Sequence, residues 1–182
     1  NATYNLNYGK PDAEAFVKIL EEKSRSIFGE VRKTLIADSD ATRTNIEKAF
    51  EAVARNSKEE DAFVFFYAGH GVMSEPEEDR AAEYYLALHD VTQLYGKHGM
   101  LTEKGLSAQD LKKLCVAVPA RKLLLVIDAC QAGGALEAFA FRGAAEQRAI
   151  AQLARSTGLV VIASSGTEQF ASEFSQLGHG VF

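Results

Sequence analysis

Three short apolar runs most strongly constrain the fold of this chain of 182 residues. They are AFVFFYAG (62–69), KLLLVIDA (122–129) and GLVVIASS (158–165). Each has the length of a β-strand and is far shorter than the roughly 20 apolar residues that a membrane-spanning helix needs. Strands without polar alternation are typical of a sheet that is covered on both faces. We therefore predict three strands that are buried on both faces.

Segments with helical periodicity precede and separate these runs. Strands that alternate with helices favour a largely parallel sheet with right-handed crossovers and helices on both faces. The predicted fold is thus α/β, a three-layer α/β/α sandwich with a mostly parallel central sheet. The predicted helices are residues 11–28, 39–57 (capped by Asp40 or Thr42), 107–118 (opening with Ser107) and 142–157, and two further short strands are predicted at 30–38 and 83–90.

The composition fits one domain spanning residues 1–182, because 47% of the residues are hydrophobic and 25% are charged. The net charge of −5 argues against nucleic acid as a partner. Neither a membrane span nor a signal peptide is visible, so we expect no membrane partner and a cytoplasmic location. The two cysteines, Cys115 and Cys130, are too few for a disulfide scaffold and fit a reducing compartment.

Polar side chains follow all three predicted strands at their carboxyl ends. His70 lies between two glycines, Asp128 and Cys130 end the second run, and Ser164 and Ser165 end the third. In open parallel sheets, functional groups gather at the carboxyl edge of the strands. We therefore expect these five residues to share one edge of the sheet.

A cysteine beside a histidine at such an edge indicates nucleophilic catalysis, since the histidine can take the thiol proton. The backbone N–H groups of Gly71 and Cys130 are candidate donors to a developing oxyanion. The alternatives are a buried structural cysteine and a histidine that serves only as a turn residue. Cys115, on the apolar side of a predicted helix, is expected to be a small buried hydrophobe.

The stretches YAGHG (67–71) and DACQAGG (128–134) resemble motifs of the caspase-like cysteine peptidases, the clan of caspases and metacaspases. Residues 6–16 and 163–182 are similar to bacterial members of that clan. Asp128 stands where the caspase signature has glutamine. The resemblance implies His70 as general base and Cys130 as nucleophile toward a peptide carbonyl. It also implies a strand before Asn1 and a helix after Phe182, so we expect a domain that is truncated at both ends.

The resemblance to metacaspases further implies a substrate pocket lined by two carboxylates, Asp128 and Asp12. Residues two apart in a strand face the same side, which directs Asp128 toward the side of Cys130. Two carboxylates favour an Arg or Lys side chain. For Asp12, interaction with the helix dipole is the alternative. Ser164 and Ser165 are candidates for substrate binding, with a role as turn residues equally open.

The predicted function is a cysteine endopeptidase that cleaves after Arg or Lys in a peptide or protein substrate. The alternatives are the same peptidase with a non-basic preference, a different acyl hydrolase such as a glutaminase, and a catalytically silent interaction module. An attached regulatory domain or an oligomer is compatible with all of them. We predict no cofactor or metal. Calcium at the acidic loop 74–83, as in some metacaspases, is the alternative, although the loop lacks the regular spacing of calcium ligands.

Overall fold

The computed structural model describes residues 6, 8–76, 78, 81–94, 99–130, 135 and 158–165, and the backbone of 173–174 and 179–180. The predicted helix at 142–157 lies outside the described residues. The helices are α1 (Gly9–Ser24), α2 (Arg43–Asn56), α3 (Gly99–Lys104) and α4 (Ala108–Ala117), with a 3₁₀ turn at Asp38–Asp40. The strands are β1 (Ala62–Ala68), β2 (His70–Met73), β3 (Tyr84–Ala87), β4 (Leu106–Ser107), β5 (Lys122–Asp128), β6 (Leu159–Ala163), β7 (Glu173–Phe174) and β8 (His179–Gly180).

The three apolar runs form one parallel sheet in the order β1-β5-β6. The β1–β5 register begins at Ala62 opposite Lys122 and continues without a break to Ala68 opposite Asp128. β6 pairs with β5 from Leu159 opposite Leu123. The predicted parallel sheet is therefore confirmed, and β5 is its central strand among the described residues.

Helices cover both faces of this sheet, which confirms the layered α/β architecture. Phe50 of α2 packs its ring against Phe63 and Phe65, with centroids 5.4 and 5.6 Å away. Phe16 of α1 stacks on Phe66 at 4.4 Å. Since alternate residues of a strand point to opposite faces, α1 and α2 lie on opposite sides of β1.

Burial departs from the prediction of three strands enclosed on both faces. Four of the seven residues of β5 are buried, but every residue of β1 after Ala62 is only half-buried. On β6, Val160 and Ile162 are 52% and 43% exposed. No described strand pairs with the second edge of β1, and a groove of about 1100 Å³ runs along it between α1, α2 and residues 30–38. The apolar composition of β1 and β6 predicted their strands correctly and their enclosure wrongly.

The strand predicted at 30–38 is wrong. Residues 30–37 form no strand, and residue 38 begins the 3₁₀ turn. Leu35, central to the predicted strand, is 47% exposed. A strand needs a hydrogen-bonded neighbour, and the described residues supply none for this segment.

A second, antiparallel sheet in the order β2-β3-β4 adjoins the first. β2 begins at His70, two residues after β1 ends, and pairs His70 with Ala87 of β3. β3 confirms the strand predicted at 83–90. The sequence pattern does not predict β2, β4 and α3, because elements of two to six residues are too short to show a period.

Two helix starts follow from their capping residues. Thr42 caps α2 by accepting a hydrogen bond from the Asn45 backbone N–H, and Ser107 caps α4 by accepting one from Asp110. Thr42 is one of the two caps predicted for α2, and Ser107 agrees with the predicted start of α4. The end of the first predicted helix is wrong: α1 ends at Ser24, four residues before the predicted end.

Arg43 at the start of α2 joins three separate segments. Its guanidinium contacts Asp110 of α4 and Glu47 of its own helix, each at 2.8 Å, and donates to the carbonyl of Gly105 at 3.3 Å. Burial alone would raise the pKa of Asp110, but the hydrogen bond from Lys113 and the charge of Arg43 outweigh it and hold that pKa below its ordinary value.

Replacing Asp110 by asparagine should therefore lower the free energy of unfolding near neutral pH by about 1 kcal/mol, a partly exposed ion pair's usual magnitude. A carboxyl with a depressed folded-state pKa stabilises the protein above its unfolded pKa, about 3.9, and loses that contribution as pH falls through the folded value. Urea unfolding of wild type and Asp110→Asn from pH 7 to pH 3 should show the two curves converging in acid.

Glu51→Gln provides the matched control, because Glu51 forms only an exposed pair with Arg55 at 3.7 Å. It should change stability by a few tenths of a kcal/mol at most. A deficit in Asp110→Asn that stays constant across the pH range would contradict the electrostatic explanation.

Candidate active site

The register of β1 with β5 places the two candidate catalytic residues at equal offsets. Ala68 and Asp128 are the last paired residues, and the Gly69 N–H donates to the Asp128 carbonyl at 3.1 Å. His70 and Cys130 each follow two positions after that pair, and both are half-buried. The structure thus brings the backbones of both to the predicted edge of the sheet.

Gly71 packs directly against the backbone of Cys130. A Cβ atom added to Gly71 would overlap the Cys130 carbonyl oxygen and the Tyr84 hydroxyl. Any side chain at this position would push β2 away from the segment that follows β5. The glycine after His70 is therefore required by this close approach.

Two tyrosine hydroxyls lie at this edge and bind backbone carbonyls. The Tyr84 hydroxyl donates to the Cys130 carbonyl at 3.1 Å, and the Tyr67 hydroxyl lies 2.9 Å from the carbonyls of both His70 and Ala87. Burial, followed by the charge of Cys130, raises the pKa of Tyr84. Burial, followed by the charge of Tyr84, raises the pKa of Tyr67. Both hydroxyls therefore stay protonated and act as donors.

The two serines after β6 bind the backbone N–H and carbonyl of Ala129, the residue before Cys130. Ser164 accepts a hydrogen bond from the Ala129 N–H at 3.1 Å, and Ser165 donates to the Ala129 carbonyl at 2.8 Å. Ala129 is 1% exposed. These hydrogen bonds support the turn that carries Cys130, which is one of the two roles considered for these serines.

Asp12 and Asp128 lie toward the same edge and the same face. Val126 pairs with Phe66, whose ring stacks on Phe16 of α1, so Val126 points to the face that α1 covers. Asp128 lies two residues further along β5 and therefore points to the same face. α1 begins beside the end of β1, since a Cβ on Gly9 would lie 3.1 Å from the Ala68 carbonyl oxygen. Asp12 occupies the first turn of α1 and is half-buried. This position suits both a pocket carboxylate and a dipole partner.

Sequence reasoning missed Tyr67 and Tyr84 as parts of the site. The signal was tyrosine in otherwise apolar strands, one in β1 and two in β3, because a buried tyrosine hydroxyl needs a hydrogen-bond partner. The partner itself is set by the packing of β3 against the β1–β5 edge, which no local pattern encodes.

The acidic loop 74–83 is described only in part. Ser74 and Glu83 close its base: the Ser74 N–H donates to the Glu83 carbonyl at 2.8 Å, and the Glu83 N–H donates to the Ser74 hydroxyl at 2.9 Å. Across the described part of the chain, no three His, Cys, Asp or Glu side chains converge as metal ligands do. No described helix has the length and hydropathy of a membrane span.

Comparisons with known proteins agree with the α/β fold. A family model described as the caspase domain matches residues 1–182. The crystal structure of protein GSU0716 from Geobacter sulfurreducens superposes with a TM-score of 0.65 at 18% identity, covering 98% of this chain and 70% of that one, which shows a shared fold. No curated protein sequence matches significantly. The chain therefore belongs to the caspase-domain family of cysteine peptidases.

Proposed function

We propose that the protein is a cysteine endopeptidase in which His70 and Cys130 form a catalytic dyad, and that it cleaves after Arg or Lys. The observation that carries the proposal is the in-register ending of the neighbouring strands β1 and β5, because His70 and Cys130 each lie two positions beyond the last residue pair. The contact between Gly71 and the Cys130 carbonyl supports it further.

In the proposed reaction, the Cys130 thiol transfers its proton to His70 and the sulfur attacks the substrate carbonyl carbon. The backbone N–H groups of Gly71 and Cys130 stabilise the oxyanion of the tetrahedral intermediate. His70 then protonates the leaving amine, and the carbon–nitrogen bond breaks to give a thioester. Water, deprotonated by His70, attacks the thioester, and the Cys130 sulfur leaves and regains its proton as the acid product departs.

Cys115 is unsuited to the same role. Its side chain lies on the buried side of α4 and is 2% exposed, and burial raises its pKa to about 12. Its thiolate is therefore scarce at neutral pH. Cys130 is half-buried at the edge of the sheet, so the difference in accessibility singles it out.

The preference for a basic residue rests on the shared face of Asp12 and Asp128. Two carboxylates at one edge attract a guanidinium or ammonium group and repel an acidic side chain. An Arg side chain can bind a carboxylate with two parallel hydrogen bonds.

Cys130→Ala should abolish peptide cleavage and His70→Ala should be nearly as damaging, because nucleophile and base act as a unit. Turnover of a fluorogenic peptide panel and the unfolding midpoint should be measured on the same preparations. Cys115→Ala is the control: it removes a thiol of equal size and should keep near-normal turnover. Normal turnover in Cys130→Ala would end the cysteine-peptidase proposal.

Iodoacetamide should alkylate Cys130 in the native protein at neutral pH and leave Cys115 unmodified until the chain is unfolded. His70→Ala should slow the labelling of Cys130. Peptide mapping by mass spectrometry identifies the modified residue. Labelling that is insensitive to His70, together with no turnover, would instead favour a catalytically silent interaction module.

Asp128→Asn should lower kcat/KM for Arg substrates about tenfold to 150-fold, the range for one charge-assisted hydrogen bond of roughly 1.5–3 kcal/mol. Asp12→Asn should act in the same direction, more weakly. The measured quantity is the ratio of cleavage after Arg to cleavage after an uncharged residue. Glu14→Gln, an exposed carboxylate on the same helix, is the control. An unchanged ratio in both Asp variants would remove the basic preference and leave the peptidase proposal standing.

A further inference from the structure

We infer that Tyr67 and Ser165 are positioning residues that aim the two backbone N–H groups of the oxyanion site. The inference rests on the proposed function, because it takes Gly71 and Cys130 as the donors. It concerns hydroxyls that never touch the substrate and act through the peptide units that they bind.

The planar peptide bond links each hydroxyl to a backbone N–H. In a planar trans peptide, the C=O of one residue points opposite to the N–H of the next, so fixing the carbonyl fixes the N–H. The Ser165 hydroxyl donates to the Ala129 carbonyl at 2.8 Å. That carbonyl shares its peptide plane with the Cys130 N–H. Ser165, itself 8% exposed, therefore sets the direction of one donor.

Tyr67 sets the direction of the other donor in the same way. Its hydroxyl lies 2.9 Å from the His70 carbonyl, which shares its peptide plane with the Gly71 N–H. Its single proton is shared between that carbonyl and the carbonyl of Ala87, also 2.9 Å away. Ala87 is the β3 partner of His70, so the hydroxyl binds both strands at this point of the second sheet.

The neighbouring glycine fits this role of Tyr67. A Cβ added to Gly69 would overlap the Tyr67 ring and hydroxyl. The absence of a side chain at Gly69 is what lets the Tyr67 hydroxyl reach back to the carbonyl of His70. Residues 67–71 thus contain the Tyr67 hydroxyl, the glycine that leaves space for it and the peptide unit that it binds.

Oxyanion stabilisation acts in the transition state, so misdirected donors lower kcat more than they raise KM. Tyr67→Phe and Ser165→Ala should each lower kcat about tenfold, the magnitude of one hydrogen bond. This is less than the loss of about 100-fold expected when a donor itself is removed. KM should change less than twofold.

The distinguishing measurement is alkylation of Cys130 by iodoacetamide. This substitution at an sp³ carbon develops no oxyanion, so both variants should be alkylated at the wild-type rate. A peptide aldehyde, which forms a tetrahedral adduct with the thiol, should bind each variant about tenfold more weakly. A general disturbance of the site would instead slow alkylation as much as turnover.

Two controls match the variants in residue type. Tyr85→Phe removes a hydroxyl that binds Glu83, and Ser107→Ala removes one that caps α4. Both should keep the wild-type kcat. Wild-type kcat in Tyr67→Phe and Ser165→Ala, or equal losses of kcat and alkylation rate, would overturn the inference. A wild type without Cys130-dependent turnover would overturn the proposed function, and this inference with it.

Discussion

The parallel pairing of β1 with β5 is the constraint on which the rest of the structure depends. Seven consecutive residue pairs, ending at Ala68 and Asp128, leave no freedom for one strand to slip against the other. A slip of one residue would turn every side chain of a strand to the opposite face. It would break the stacking of Phe16 on Phe66 and move Cys130 away from Gly71.

The helices fix this register from both sides. α1 contributes Phe16 to one face, and α2 and α4 bury Phe50 and Leu111 on the other. The position of α1 also affects the carboxyl edge of the sheet, because α1 brings Asp12 to the face that carries Asp128. Arg43 joins α2 to α4, so the layer that supports the site is itself tied together.

Hydroxyl groups then determine the backbone geometry at the edge. Tyr67 and Tyr84 come from two different sheets, and Ser164 and Ser165 follow a third strand. They bind peptide groups of His70, Ala129 and Cys130, which lie just beyond the last residue pair of the β1–β5 ladder. Buried peptide groups need such partners, since an unpaired one costs about 1–3 kcal/mol.

The sequence by itself determined the three sheet strands, the start of α4 and the placement of His70 and Cys130 just beyond two strand ends, because periodicity, capping residues and strand ends are local features. It predicted wrongly that β1 and β6 are enclosed and that residues 30–38 form a strand, because enclosure and strand pairing depend on neighbours distant in the chain. Only the tertiary structure decided that Tyr67, Tyr84 and Ser165 bind the backbone of the site. Their partners are set by how β3 and β6 pack, and packing between distant segments leaves no period in the sequence.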